Sequence, residues 1–147
     1  MIAFIKVYRW VHRSAEQSLP GNAVVGGRDV DGSTIYVGRA FHEGDMIPAK
    51  VIPEKNVAYV CYNGEEHAKY NYEVSTATHW RWPAFTPRDF PPCILCPGEL
   101  TWEFCSSGSV PNDAVVAGRT ADGETLYVGR VLHNGSQTVG KVRTYCR

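Results

Sequence analysis

Several features are missing from this 147-residue chain, and each absence closes off a class of function. No apolar run approaches the roughly 18 residues that span a bilayer, so no transmembrane helix is expected. The opening MIAFIKVYRWVHRS is broken by Lys6 and Arg9 and is too short for a secretory apolar core. Net charge is absent as well, because fifteen basic and fifteen acidic side chains cancel. A nucleic-acid partner would demand a basic excess, so none is expected. There is no G-x-S-x-G and no H-E-x-x-H, so the chain does not read as an enzyme, and no cofactor is expected. A single C-x-x-C, Cys93 to Cys96 in PPCILCPG, lacks the second pair that a structural zinc site needs. The five cysteines read as buried or loop thiols of a reducing compartment, at least one of them unpaired or shared between chains. The expected location is cytoplasmic, vesicle-associated or reached by non-classical export.

What is present is a repetition. Gly26 to Arg39, GGRDVDGSTIYVGR, returns 91 residues later as AGRTADGETLYVGR, with nine of fourteen positions identical. The same offset pairs Pro20 with Pro111, Ala23-Val24-Val25 with Ala114-Val115-Val116, His42 with His133, and Lys50-Val51 with Lys141-Val142. Trp10 corresponds to Trp102 with a one-residue slip. An ungapped match of this length indicates duplication.

Each copy alternates apolar and polar residues with the period of a strand, as in TIYVGRA. Asp31-Gly32 and Asp122-Gly123 are turn dipeptides. Further strands are expected at Ile2–Tyr8, Val57–Tyr62, Tyr70–Ser75 and Leu100–Phe104. No capped run of helical period occurs, so the fold is expected to be all-β. Residues 1–74 form a first repeat with an N-terminal strand, 75–101 a Pro- and aromatic-rich connecting arm, and 102–147 a second, incomplete repeat. Nothing after Arg147 matches residues 52–74, so either that segment serves both halves or a neighbouring chain completes the second. The halves are expected to interleave as antiparallel sheets sharing a core.

The run PGNAVVGGRDVDGSTIYVGRAFHEG, followed by Ala49-Lys50-Val51, VAYVCYNGEEH and YNYEV with Trp10 upstream, resembles the DM9 repeat, also seen in natterin-like lectins. The second copy resembles it from Trp102 to about Val142. The resemblance implies a tandem-repeat β protein with intertwined halves that binds mannose-type glycans, often as a dimer, in innate defence. It also implies that an acidic residue of the G-G-x-x loop and the lysine before Val51 form the sugar-binding pair.

Chemistry agrees with that choice. Neutral sugars offer hydroxyls that both donate and accept, so a carboxylate beside an ammonium can bridge neighbouring hydroxyls. Asp29 and Lys50 are the expected pair, with Asp31 the fallback carboxylate and Asn22 a turn residue within reach. The second copy keeps Asp122 and Lys141 but has Thr120 where the first has Asp29, so its site is expected to be weak or dead. Arg39 and Arg130 read as structural arginines, the first pairing with Glu66 or Glu73. His42, His133 and Glu65-Glu66-His67 read as structural. Tyr59, Tyr62, Tyr70 and Tyr72 are strand residues that could line a sugar. The leading expectation is a lectin, a homodimer or strand-exchanged oligomer, acting in pathogen recognition. The alternative is a vesicle-associated adaptor in innate defence that binds protein through the aromatic arm His79–Phe90, with Trp80 and Trp82 as its contacts.

Overall fold

The computed structural model describes residues 8–77, the backbone of 93–96, and residues 100–144. Seven strands make the first sheet: β1 (Tyr8–Ser14), β2 (Val25–Arg28), β3 (Thr34–His42), β4 (Asp45–Ile52), β5 (Val57–Tyr62), β6 (Glu65–Lys69) and β7 (Asn71–Ala77). Their order is β1-β7-β3-β4-β5-β6, with β2 also on β3. Five more make the second: β8 (Cys93–Cys96), β9 (Thr101–Phe104), β10 (Val116–Arg119), β11 (Thr125–His133) and β12 (Ser136–Arg143). Here the order is β10-β11-β8-β9, with β12 on β11. Every strand pair is antiparallel, and the described residues contain no α-helix. The all-β expectation therefore holds.

Two-residue turns set the registers. Glu43-Gly44, Asn63-Gly64 and Asn134-Gly135 all have positive φ at both positions, the geometry whose twist matches a right-twisted hairpin. The Asp31-Gly32 and Asp122-Gly123 dipeptides sit in slightly longer loops, where each glycine takes the positive φ.

The sheets are built to one plan but closed differently. β7 pairs with β3 at Gly38↔Val74 and Arg39↔Glu73, and β1, carrying Trp10, lies outside β7. β8 pairs with β11 at Gly129↔Ile94 and Arg130↔Cys93, and β9, carrying Trp102, lies outside β8. Gly38 and Gly129 are repeat equivalents, so β8 occupies in the second sheet the place of β7 in the first. The closing strand follows its sheet in one half and precedes it in the other. The C-x-x-C segment, read from sequence as part of a loop or arm, thus supplies a strand from within the chain. Its placement in the ladder supplies the counterpart of β7 that the second copy lacks after its own hairpin. The strand expected at Ile2–Tyr8 lies almost wholly outside the described residues, and β1 begins at Tyr8. The β5–β6 hairpin has no counterpart in the second sheet among the described residues.

The two sheets cross with a reciprocal geometry. A Cβ on Gly27 would lie 2.0 Å from the Gln137 carbonyl oxygen, and one on Gly118 would lie 2.1 Å from that of Met46. Gln137 and Met46 are themselves repeat equivalents, so each copy lays a glycine of its short strand on the other copy's long hairpin. The arginines obey the same symmetry. Arg39 donates to the Ala117 carbonyl at 3.0 Å, and Arg130 donates to the Gly26 carbonyl at 3.4 Å. The Arg39 guanidinium also covers the Trp10 ring at 4.6 Å, and Arg130 covers Trp102 at 4.1 Å. Of the two carboxylates considered for Arg39, Glu73 is its partner, directly across the β3–β7 ladder.

Between the sheets lies a joint core. Val24, Ile35, Val37, Ile52 and Ala77 from the first copy pack with Val115, Ala117, Val128 and Val139 from the second. Burying each of the larger aliphatic side chains contributes about 1.5–3 kcal/mol. Neither copy can obtain that stabilisation alone. A second cluster, including Ala40, Ile47, Val51, Val60 and Tyr72, fills the inside of the first sheet, and Leu126 joins it from the second copy.

Candidate functional site

The loop between β2 and β3 is held by its own backbone. The Asp29 N–H donates to the Ser33 carbonyl at 2.9 Å, and the Gly32 N–H to the Asp29 carbonyl at 3.0 Å. The second copy repeats both bonds, from Thr120 to Glu124 and from Gly123 to Thr120, each at 2.9 Å. The scaffold is duplicated, and only the side chains differ.

In the first loop Asp31 accepts the Ser33 N–H at 2.9 Å, and Asp29 accepts the Val30 N–H at 2.9 Å. Both carboxylates then meet one ammonium. Lys55 lies 2.7 Å from Asp29 and 2.9 Å from Asp31. It comes from a single 3-10 turn, Pro53–Lys55, where proline opens the turn after β4 and Asn56 closes it in a left-handed conformation. The Asp29 side chain is 13% exposed, while Lys55 and Asp31 are 37% and 47% exposed. The hydrogen bond from Lys55 holds both carboxyls below the usual carboxylate range, and the two carboxylates push the Lys55 ammonium above its ordinary value. Ser136, from the other copy, donates its hydroxyl to the Arg28 carbonyl beside Asp29 at 3.4 Å. The cluster is therefore built across the repeat boundary.

The structure does not pair Asp29 directly with Lys50. Lys50 sits on β4 opposite Val37 of β3 and Tyr59 of β5, well along the sheet from the loop. Its ammonium pairs with Glu66 at 2.7 Å and covers the Tyr59 ring at 5.3 Å. Asn22 is also committed elsewhere: its amide donates to the Ala77 carbonyl at 2.7 Å, while its own carbonyl accepts the Ala77 N–H. Asp31, the fallback carboxylate, is brought into the cluster.

Lys55 was not singled out from the sequence, although a signal existed. At the repeat offset its counterpart is Cys146, so Lys55 is, like Asp29, a charge that the second copy does not match. Cys146 lies outside the described residues.

The second loop is arranged differently. The Thr120 hydroxyl accepts the Glu124 N–H at 3.0 Å, doing for this turn what the Asp31 carboxylate does for the first. Glu124 pairs with Arg143 at 3.2 Å. Asp122 is exposed and forms no ion pair among the described residues. Lys141 lies over the Tyr62 ring at 5.6 Å, and burial holds its ammonium below the ordinary value. Among the described residues no ammonium is clasped between two carboxylates at this loop. The second site's residues, Thr120, Asp122 and Lys141, are thus not gathered as the first loop's are.

Among the described residues no group of three or more His, Cys, Asp or Glu is placed to hold a metal ion. Among these residues no helix is long and apolar enough to cross a membrane. The aromatic arm His79–Phe90, with Trp80 and Trp82, lies outside the described residues.

No curated protein matches this chain. The family model of the DM9 repeat matches residues 29–146, beginning at the first carboxylate of the cluster and running through both copies. A match over most of the chain, on a duplicated all-β scaffold, places the protein in the DM9 repeat family, a binding domain rather than a catalytic one and consistent with a lectin-type or other binding role.

Proposed function

We propose that the protein is a lectin for mannose-type glycans, with Asp31 and Lys55 as the groups that meet the sugar and Asp29 as the carboxylate that positions Lys55. One observation carries this reading: an ammonium clasped by two carboxylates at 2.7 and 2.9 Å, with its more exposed partner facing solvent. Such a cluster offers fixed acceptors and a fixed donor side by side, which suits neighbouring hydroxyls of a neutral sugar. Lys50, bound to Glu66, has a structural role in this reading. The second loop, with Thr120 turned inward to its own backbone, does not bind.

One shallow polar site holds a monosaccharide with a dissociation constant on the order of 0.1–1 mM. Useful avidity then requires assembly into a homodimer or larger strand-exchanged oligomer, as in recognition of a glycan-coated pathogen surface. The test is retention on mannose-agarose with elution by free mannose. Asp31→Ala and Lys55→Met should each lose retention while keeping the β circular-dichroism spectrum. Undiminished retention of both variants would remove the cluster from the site.

A second reading, an adaptor that docks protein, is favoured by one observation. Phe104, Val116, Val131 and Leu132, all from the second copy, are 60%, 38%, 41% and 50% exposed. Under that reading Leu132→Ser, and not Asp31→Ala, is the damaging change in a pull-down.

A further inference from the structure

A second concave surface adjoins the cluster and is used by nothing described so far. Its walls are Ser14, Ala15, Glu16, Asn56, Tyr70 and Asn71, enclosing a groove of about 660 Å³. The framework is fixed by backbone. Ser14 and Asn71 are partners at the end of the β1–β7 ladder, and the Ala15 N–H donates to the Tyr70 carbonyl at 2.8 Å. That bond pins the Tyr70 main chain while the residue remains 62% exposed. Asn56, also in the lining, is held in its left-handed conformation, its N–H bonded to the Pro53 carbonyl at 3.0 Å.

The chemistry of the lining narrows the ligand. The side chains of Glu16, Asn56, Tyr70 and Asn71 form no hydrogen bond among the described residues, so donors and acceptors are left for something else. Two carboxamides both donate and accept, as sugar hydroxyls do, and the phenol ring offers an apolar face with a polar tip. The only charged wall residue is Glu16, which disfavours an anion, and one ring among polar groups is too little for a lipid chain. What fits is a neutral pyranose stacked on Tyr70.

Position narrows it further. Asn56 follows Lys55 directly, so a wall residue of the groove and the ammonium of the cluster come from one short turn. We propose that the Tyr70 groove is an adjoining saccharide subsite, holding the sugar unit next to the one at Asp31 and Lys55. The site then selects a linear oligosaccharide over a single sugar. This rests on the lectin reading of the loop cluster.

Titration calorimetry with two probes, methyl α-mannoside and a linear mannotriose, tests it. The wild-type protein should bind the trisaccharide about tenfold more tightly, as one aromatic stacking contact with its neighbouring hydrogen bonds allows. Tyr70→Ala should erase that advantage and leave methyl α-mannoside affinity unchanged, while Tyr70→Phe should keep it. Equal wild-type affinity for the two probes overturns the subsite and leaves the loop site standing. So does an advantage that survives Tyr70→Ala. If Asp31→Ala changes neither affinity while Tyr70→Ala weakens the trisaccharide, the loop reading fails and the groove remains. Binding of neither probe overturns both.

Discussion

The loops Asp29–Ser33 and Thr120–Glu124 share their backbone hydrogen bonds to within 0.1 Å and share almost none of their side-chain contacts. Glycine at the turn and the crossing of the sheets fix the backbone, and both features survive in each copy. The side chains are set by what approaches from outside the loop. In the first copy a 3-10 turn after β4 delivers Lys55 to Asp29 and Asp31. In the second the strand equivalent to β4 is followed by no described turn, and a hydroxyl at Thr120 closes the loop on itself. A scaffold can thus be copied faithfully while its chemistry depends on a short segment that was not matched.

The largest expected effect tests the shared part. Gly27→Ala or Gly118→Ala places a methyl against a carbonyl of the other copy, which cannot give way as a flexible side chain would. Each should destabilise the fold by about 3 kcal/mol in urea denaturation, with one cooperative transition lost as a unit. Unequal losses, or separate transitions for the two halves, would break the symmetry argued above.

A smaller effect tests the unshared part. Because Lys55 depresses Asp29 and Asp31, both should stay ionised below their ordinary value of 3.8 in a carboxyl NMR titration. Lys55→Met should let both rise toward that value. The sign follows from linkage. The folded carboxylates hold protons less tightly than the unfolded ones, so their contribution is complete above 3.8 and is lost as pH falls through the lower folded values. The difference in melting temperature between wild type and Lys55→Met should therefore shrink on acidification below 3.8.

The smallest effect is a null. Thr120→Asp restores the missing carboxylate but brings no ammonium to it, so mannose titration should still find one site per chain. A second site of equal strength would mean that the carboxylate alone makes the site.

Much of this was legible in the residues. Alternation in TIYVGRA, the Asp-Gly turns and the 91-residue offset all point to the two sheets that are seen. Arg39 was readable as structural, and Glu73 is one of the two partners it suggested. Other parts were not legible, for reasons of register and distance. Lys50 and Asp29 lie close in motif order, yet the β3–β4 ladder sets Lys50 opposite Val37 and leaves Glu66, two strands away, as its partner. Cys93–Cys96 is too short and too surrounded by proline to be read as a strand, and only the sheet waiting beside it makes it one. The Lys55 contact depends on one turn of three residues, below the grain of any periodicity.

The reciprocal seating of Gly27 on Gln137 and Gly118 on Met46 has an evolutionary consequence. A copy whose loop side chains have diverged cannot then be discarded, because its hairpin is the floor on which the other copy rests. Exposed Asp122 can be replaced at little cost, whereas the glycines and arginines of the seam cannot. Redundancy in this chain is therefore only chemical, and mechanically each half is indispensable to the other.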